Sequence, residues 1–201
     1  MEINPENRAI HGLSTFIVFV ALNIVYLLTC LPIVTIGAAT SALYEVTLRY
    51  SDEEGGRPLA DFFPAFGRNF VPATAVSLSL LVPMVALAFS AVFWFSAPEP
   101  LLTGLAVIAL LAAGYLLAAF LHGMALVAVF RNTVRQTLKN AVLLPAAEPV
   151  RTFGILAVPI IAITFMVVFP PTMVLVGTVG FSVGAYVSAF VFRSIYKKYG
   201  I

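Results

Sequence analysis

Thr152–Phe192 reads TFGILAVPIIAITFMVVFPPTMVLVGTVGFSVGAYVSAFVF, 41 residues without one Lys, Arg, Asp or Glu. The hydrocarbon core of a bilayer is about 30 Å thick, so a helix crosses it in roughly 20 apolar residues. This stretch is twice that length. Near its middle stands Phe169-Pro170-Pro171, where proline removes a backbone donor and ends a helix. It reads as two membrane spans, Phe153–Phe169 and Met173–Phe192, joined by a tight turn.

Three more stretches lack charge. Ala9–Tyr44 has 36 residues and its own break at Leu31-Pro32, so it holds two spans; Asn69–Pro98 has 30 residues, Pro100–Phe130 has 31, and each holds one. The sum is six. The expected fold class is therefore all-α, a polytopic membrane helical bundle of six transmembrane helices in a single integral membrane domain, residues 1–201. With 61% hydrophobic residues, 10% charged residues and a mean hydropathy of +1.04, nearly the whole chain is used in spanning the bilayer. The net charge of +2 does not point to nucleic acid. The single cysteine, Cys30, can form no internal disulfide. The apolar run Leu13–Leu31 exceeds a signal peptide's h-region of roughly 7–15 residues, so it is expected to be a retained helix.

Basic residues test this partition independently, because Lys and Arg gather in cytoplasmic loops. Arg8 precedes span one; Arg49, Arg57 and Arg68 separate spans two and three; Arg131, Arg135, Lys139 and Arg151 separate four and five; Arg193, Lys197 and Lys198 come after span six. All 11 fall on one side, and both termini are expected in the cytoplasm of a multi-pass protein of the bacterial cell membrane. The opposite connections are short turns. Partners in water are therefore expected at the cytoplasmic face.

Span two, about Ile33–Arg49, is the weakest. It is short and carries Thr35, Thr40, Ser41 and Glu45, so it reads either as a full span, which we favour, or as a tilted, partly re-entrant helix. A solvated acidic turn is expected at Ser51–Gly56. Leu59, Phe62, Phe63, Phe66 and Phe70 then keep to helical spacing, an amphipathic segment at the cytoplasmic surface, though Pro64 and Gly67 weaken it. It either closes the base of the bundle or docks a partner, with Phe62, Phe63 and Phe66 as the candidate docking face. Span three is expected from Pro72. After span four, Arg131, Arg135 and Lys139 recur every four residues opposite Val134, Leu138 and Val142, a second amphipathic segment whose basic stripe suits anionic headgroups.

Polar residues inside a membrane are costly and draw attention. Asn23 and His122 lie near the midplane of their spans. Each is either an interhelical hydrogen-bonding residue or a substrate or proton site. Glu45 lies four residues before Arg49, the favourable order for a helical ion pair, and is otherwise a coupling carboxylate. Asn23, Glu45 and His122 form the candidate intramembrane polar site. Gly177, Gly180, Gly184 and Ser188 lie on one face of span six at the spacing that lets helices approach closely. Neither a Gly-x-Ser-x-Gly elbow, nor His-Glu-x-x-His, nor a phosphate-binding Gly-rich loop with Lys occurs. Catalysis, a metal site and a cofactor are not expected.

The stretch Asn23–Val46, NIVYLLTCLPIVTIGAATSALYEV, resembles the YesL-like family of small bacterial integral membrane proteins. The likeness rests on Asn23 within a first span, then Leu31, Pro32, Thr35, Gly37 and Ala38, then Ala42, Leu43 and Tyr44. The segment Phe66-Gly67-Arg68-Asn69-Phe70 is also similar. The resemblance implies a domain of unknown function, many of whose members are encoded beside carbohydrate-uptake and polysaccharide-degradation genes. It supplies no catalytic residue. The expected role is thus a non-catalytic accessory or regulatory component of carbohydrate transport or utilisation, in contact with the lipid bilayer and with transporter subunits. The alternative is a small transporter or channel in its own right, for which Asn23, Thr35, Glu45 and His122 should join in one polar path.

Overall fold

The computed structural model describes residues 5–52, 57–96 and 99–199, with side chains from Gly12 onward. Most of the acidic turn expected at Ser51–Gly56, the middle of the Ser96–Pro100 turn and the side chain of Arg8 lie outside the described residues. Among those described there are seven helices and no strand: α1 (Pro5–Cys30), α2 (Ile36–Ser51), α3 (Pro58–Phe95), α4 (Pro100–Val129), α5 (Val134–Ala147), α6 (Pro149–Val168) and α7 (Thr172–Lys198). A single 3₁₀ turn, Ile33–Thr35, leads into α2. The helix α7 is continuous but contains a π-helical turn at Val176–Gly180.

Five helices are long and apolar enough to cross a membrane: α1 from Gly12, α3, α4, α6 and α7. Their outer faces carry large apolar side chains such as Phe89, Phe93, Ile108, Ile161 and Val167, all exposed. Such a continuous apolar exterior belongs against lipid. The chain is a multi-pass membrane protein. The proline breaks fall where the sequence places them, with α1 ending before Leu31-Pro32 and α6 before Phe169-Pro170-Pro171.

The sixth expected span is α2. Its 16 residues reach about 24 Å at 1.5 Å per residue, less than a hydrocarbon core. Its position explains its composition. Thirteen of its residues are buried, including the run Gly37–Leu48, because α1, α3, α4 and α7 surround it. Its first turns are built from small residues, the chemistry that lets membrane helices approach. A Cβ on Gly37 would lie 2.7 Å from the Ala73 carbonyl oxygen and would strike the Ser77 side chain, so only glycine fits the α2–α3 crossing.

One correction concerns α3. The sequence reading separates an amphipathic segment at Leu59–Phe70 from a span beginning at Pro72, but the two form one helix of 38 residues. Pro64, Pro72 and Pro83 each delete one amide bond, to the carbonyls of Ala60, Arg68 and Ser79, without ending the helix. Packing against α2 and α4 holds it together, as membrane helices tolerate proline when neighbours support the freed groups. The helix α5 buries Thr137, Ala141 and Pro145, four residues apart, and leaves Arg131 before it, and Arg135 and Lys139 on it, exposed.

Candidate functional site: three polar clusters and an apolar cavity

Asn23 is fully buried and faces the π turn of α7. A π turn inserts a residue into the ladder and leaves backbone groups without their usual partners. Asn23 takes up three of them. Its Nδ2 donates to the Gly177 carbonyl at 2.7 Å, and its Oδ1 accepts from the amides of Phe181 at 2.9 Å and Ser182 at 3.0 Å. Ser182 completes the seam by donating its hydroxyl to the Phe19 carbonyl of α1 at 2.9 Å. The π turn also takes Gly177 off the small-residue face expected along Gly177, Gly180, Gly184 and Ser188, because an inserted residue rotates the helix on its N-terminal side relative to its C-terminal side, while Gly180, Gly184 and Ser188 keep to one face. A Cβ on Gly177 would meet nothing within 4 Å; on Gly180 it would meet Val176 of the same helix. Only at Gly184 does it meet another helix, with Val158 of α6 at 2.9 Å.

Glu45 is the buried centre of a second cluster. Arg49, one turn on, donates to its Oε1 at 2.7 Å. Arg68 of α3 donates to the same oxygen at 2.5 Å, and Asn69 donates to Oε2 at 2.9 Å. Both arginines keep their outer ends in solvent while their inner nitrogens meet the carboxylate. The sequence points to Arg49 by its spacing. It gives no local signal for Arg68 and Asn69, which lie 23 and 24 residues away.

His122 of α4 is fully buried, with Nε2 3.0 Å from the Thr152 hydroxyl of α6 and its ring edge-on to Phe192 of α7. Among the described residues no hydrogen bond joins the three clusters. Asn23 engages α7, Glu45 engages its own helix and α3, and His122 engages α6. The structure therefore does not bring the candidate polar residues into one site. No group of three or more His, Cys, Asp or Glu stands together as a metal site among the described residues.

A further charged contact, absent from the sequence reading, joins the start of α6 to the end of α7. The Glu148 carboxylate accepts from Lys198, from the Tyr199 hydroxyl at 3.0 Å and from Arg151 at 2.9 Å. The hydrogen bond from Lys198, helped by Tyr199 and the Arg151 charge and opposed by burial, holds this carboxyl below the usual carboxylate range. A depressed carboxylate contributes stability above its unfolded value of about 4.3 and loses it as pH falls through the folded value. Thermal unfolding in detergent between about pH 5 and pH 3 should therefore show a smaller acid loss for Glu148→Gln than for the unaltered chain. Equal losses would remove Glu148 from the account.

The aromatic docking face needs correction. Phe62 is 0% exposed and belongs to the core, stacked with Phe66 and edge-on to Phe63. It cannot meet a partner. Phe63 is 57% exposed, Phe66 is half-buried and Phe70 is exposed beside it.

Between α2, α4, α6 and α7 lies a cavity of about 330 Å³. Leu43, Phe120, Ile155, Val158, Ile163 and Met166 make much of its apolar wall. Tyr26 and Thr40, whose hydroxyls are 3.2 Å apart, stand at it as well.

The family model described as a protein of unknown function, DUF624, matches residues 19–91. Residues 19–91 are thus similar to that family. The YesL-like family carries DUF624, so the resemblance drawn from Asn23–Val46 and Phe66–Phe70 holds over this segment. The matched segment contains Asn23, all of α2 and the whole Glu45–Arg49–Arg68–Asn69 cluster. No curated protein and no solved structure matches the chain.

Proposed function

We propose that the chain is a non-catalytic membrane protein acting as an accessory or regulatory component of bacterial carbohydrate transport or utilisation. The carbohydrate context comes from the YesL-like resemblance. The accessory role is supported chiefly by one observation: Asn23, Glu45 and His122 are each engaged in a separate helix–helix contact. A carrier needs titratable or polar groups free to exchange partners along a path. Here the same groups fasten α1 to α7, α2 to α3 and α4 to α6.

In this reading the chain crosses the bilayer six times, with α2 crossing inside a sheath of other helices. Antiparallel pairing supports it: Tyr26 meets Thr40 while Phe19 meets Tyr50, so α2 returns along α1. Asp52, after α2, pairs with Arg193 near the end of α7, and Arg193 also donates to the Ser51 carbonyl. The chain's beginning and end then lie on one side, the cytoplasmic one by the distribution of Lys and Arg. Transporter subunits would meet exposed cytoplasmic groups, such as Phe63 and Phe70 of α3 or Arg135 and Lys139 of α5.

Glu45→Gln and His122→Gln, each near-isosteric, should leave carbohydrate uptake by the native host within about twofold of normal. Phe63→Ala should impair uptake at unchanged protein level. Radiolabelled sugar uptake with immunoblotting measures both. Loss of uptake in either polar variant at normal abundance would favour a carrier over an accessory component.

A further inference from the structure

The cavity between α2, α4, α6 and α7 has walls that do not match its polar groups. Tyr44 and Ser188, on facing helices, both line it and are only 5% and 3% exposed. Neither hydroxyl has a hydrogen-bond partner among the described residues. Pro159, also in the wall, has no amide to offer the Ile155 carbonyl one turn earlier, so α6 leaves an acceptor without its usual partner at a residue that lines the cavity. On the opposite wall, Val176, Gly180 and Phe181 belong to or abut the π turn that Asn23 fixes in place. A π turn widens a helix locally and is common at functional sites. Apart from Tyr26 and Thr40, whose hydroxyls meet each other, the rest of the lining is almost entirely apolar.

We propose that this cavity holds a single aliphatic chain bearing one hydrogen-bonding oxygen. That is the chemistry of a fatty alcohol, or of a lipid acyl chain at its ester end. At about 30 Å³ per group the cavity has room for roughly ten water-sized or methylene-sized groups. Water suits only the few hydroxyl-bearing positions, since an ordered water needs two to four polar partners and the aliphatic and aromatic remainder of this wall offers none. An aliphatic chain fills the apolar part; its oxygen accepts from the Tyr44 and Ser188 hydroxyls, and an alcohol also has a proton to donate to the Ile155 carbonyl. The inference is independent of the carbohydrate reading, because it uses only the cavity and its unpaired groups.

The full chain in phospholipid nanodiscs would be irradiated with a diazirine-bearing lauryl alcohol. In a separate sample the same diazirine would sit in the acyl chain of the phospholipid. Peptide mass spectrometry should place adducts on cavity residues such as Tyr44 and Met166. Ala162→Phe, which fills the cavity, should reduce these adducts at least about tenfold. The near-isosteric pair Tyr44→Phe with Ser188→Ala should reduce alcohol adducts about fivefold to tenfold, as expected for one or two hydrogen bonds. It keeps the test open if the larger side chain prevents folding. Cavity adducts from the phospholipid alone identify a bilayer lipid as the source; adducts from the alcohol identify a free amphiphile. Adducts confined to outward residues such as Ile161 and Phe165, or equal in all folded variants, overturn the proposal.

Discussion

Asn23→Leu is expected to destabilise the bundle by about 3–5 kcal/mol. The substitution keeps side-chain size but strands the amides of Phe181 and Ser182 and the carbonyl of Gly177. Each buried backbone group left without a partner costs about 1–3 kcal/mol, and no water is at hand in a bilayer core to compensate. An average interhelical side-chain bond in a membrane contributes only about 0.6 kcal/mol. Asn23 should exceed that because it serves three groups freed by one π turn. In a chain of this size the loss corresponds to roughly 6–20 °C in unfolding temperature, measurable by heating the detergent-purified protein. A change under about 2 °C would mean that α7 can close its own ladder by reverting to a regular helix. Asn23→Ser, too short to reach all three groups, should fall between the two.

The interruption that Asn23 repairs is also what sequence periodicity cannot see. Charge-free length and proline position mark where α1 and α6 end, because both effects are local: charge is expelled from lipid, and proline lacks an amide. The same logic applied to Pro64 and Pro72 divides α3 where the molecule does not, since packing against α2 and α4 keeps that helix whole. The π turn carries no local signature beyond Gly177 and Gly180. The spacing of Gly177, Gly180, Gly184 and Ser188 assumes a regular helix and so places Gly177 on a face that only the other three share.

The identity of the central helix was legible in principle. Gly37, Ala38, Ala39, Thr40, Ser41 and Ala42 lower the hydrophobicity of α2, which makes it the weakest span by that measure. In a membrane, however, small residues mark contact with other helices, and these six are buried. The segment that DUF624 matches then has a physical reading. Leu43-Tyr44-Glu45 and Arg68-Asn69-Phe70 stand far apart along the chain, yet they supply the two sides of one buried carboxylate cluster at the α2–α3 crossing. That pairing lies beyond any local pattern because its partners are separated by a turn and the start of another helix.

Phe62 and Phe63 provide the sharpest contrast between a residue's pattern and its place. Both occupy an aromatic stripe that helical spacing marks as one face. Phe62 nevertheless faces the core with Ala65 and Asn69, which succeed it at helical intervals and are equally buried, whereas Phe63 points outward. Truncating a buried Phe to Ala costs about 3–5 kcal/mol in water-soluble proteins, part from transfer and part from the cavity left behind. Near lipid the transfer part shrinks, because lipid tails are as apolar as the core, while the packing loss remains. Phe62→Ala is therefore expected to cost about 3 kcal/mol, with Phe63→Ala costing under about 0.5 kcal/mol, as for a surface change. Detergent melting curves of the two single variants separate them, and similar shifts would place both on the same side of α3. Because Phe63→Ala should fold normally, only that variant can report on docking; a triple change including Phe62 would lose uptake by unfolding the bundle.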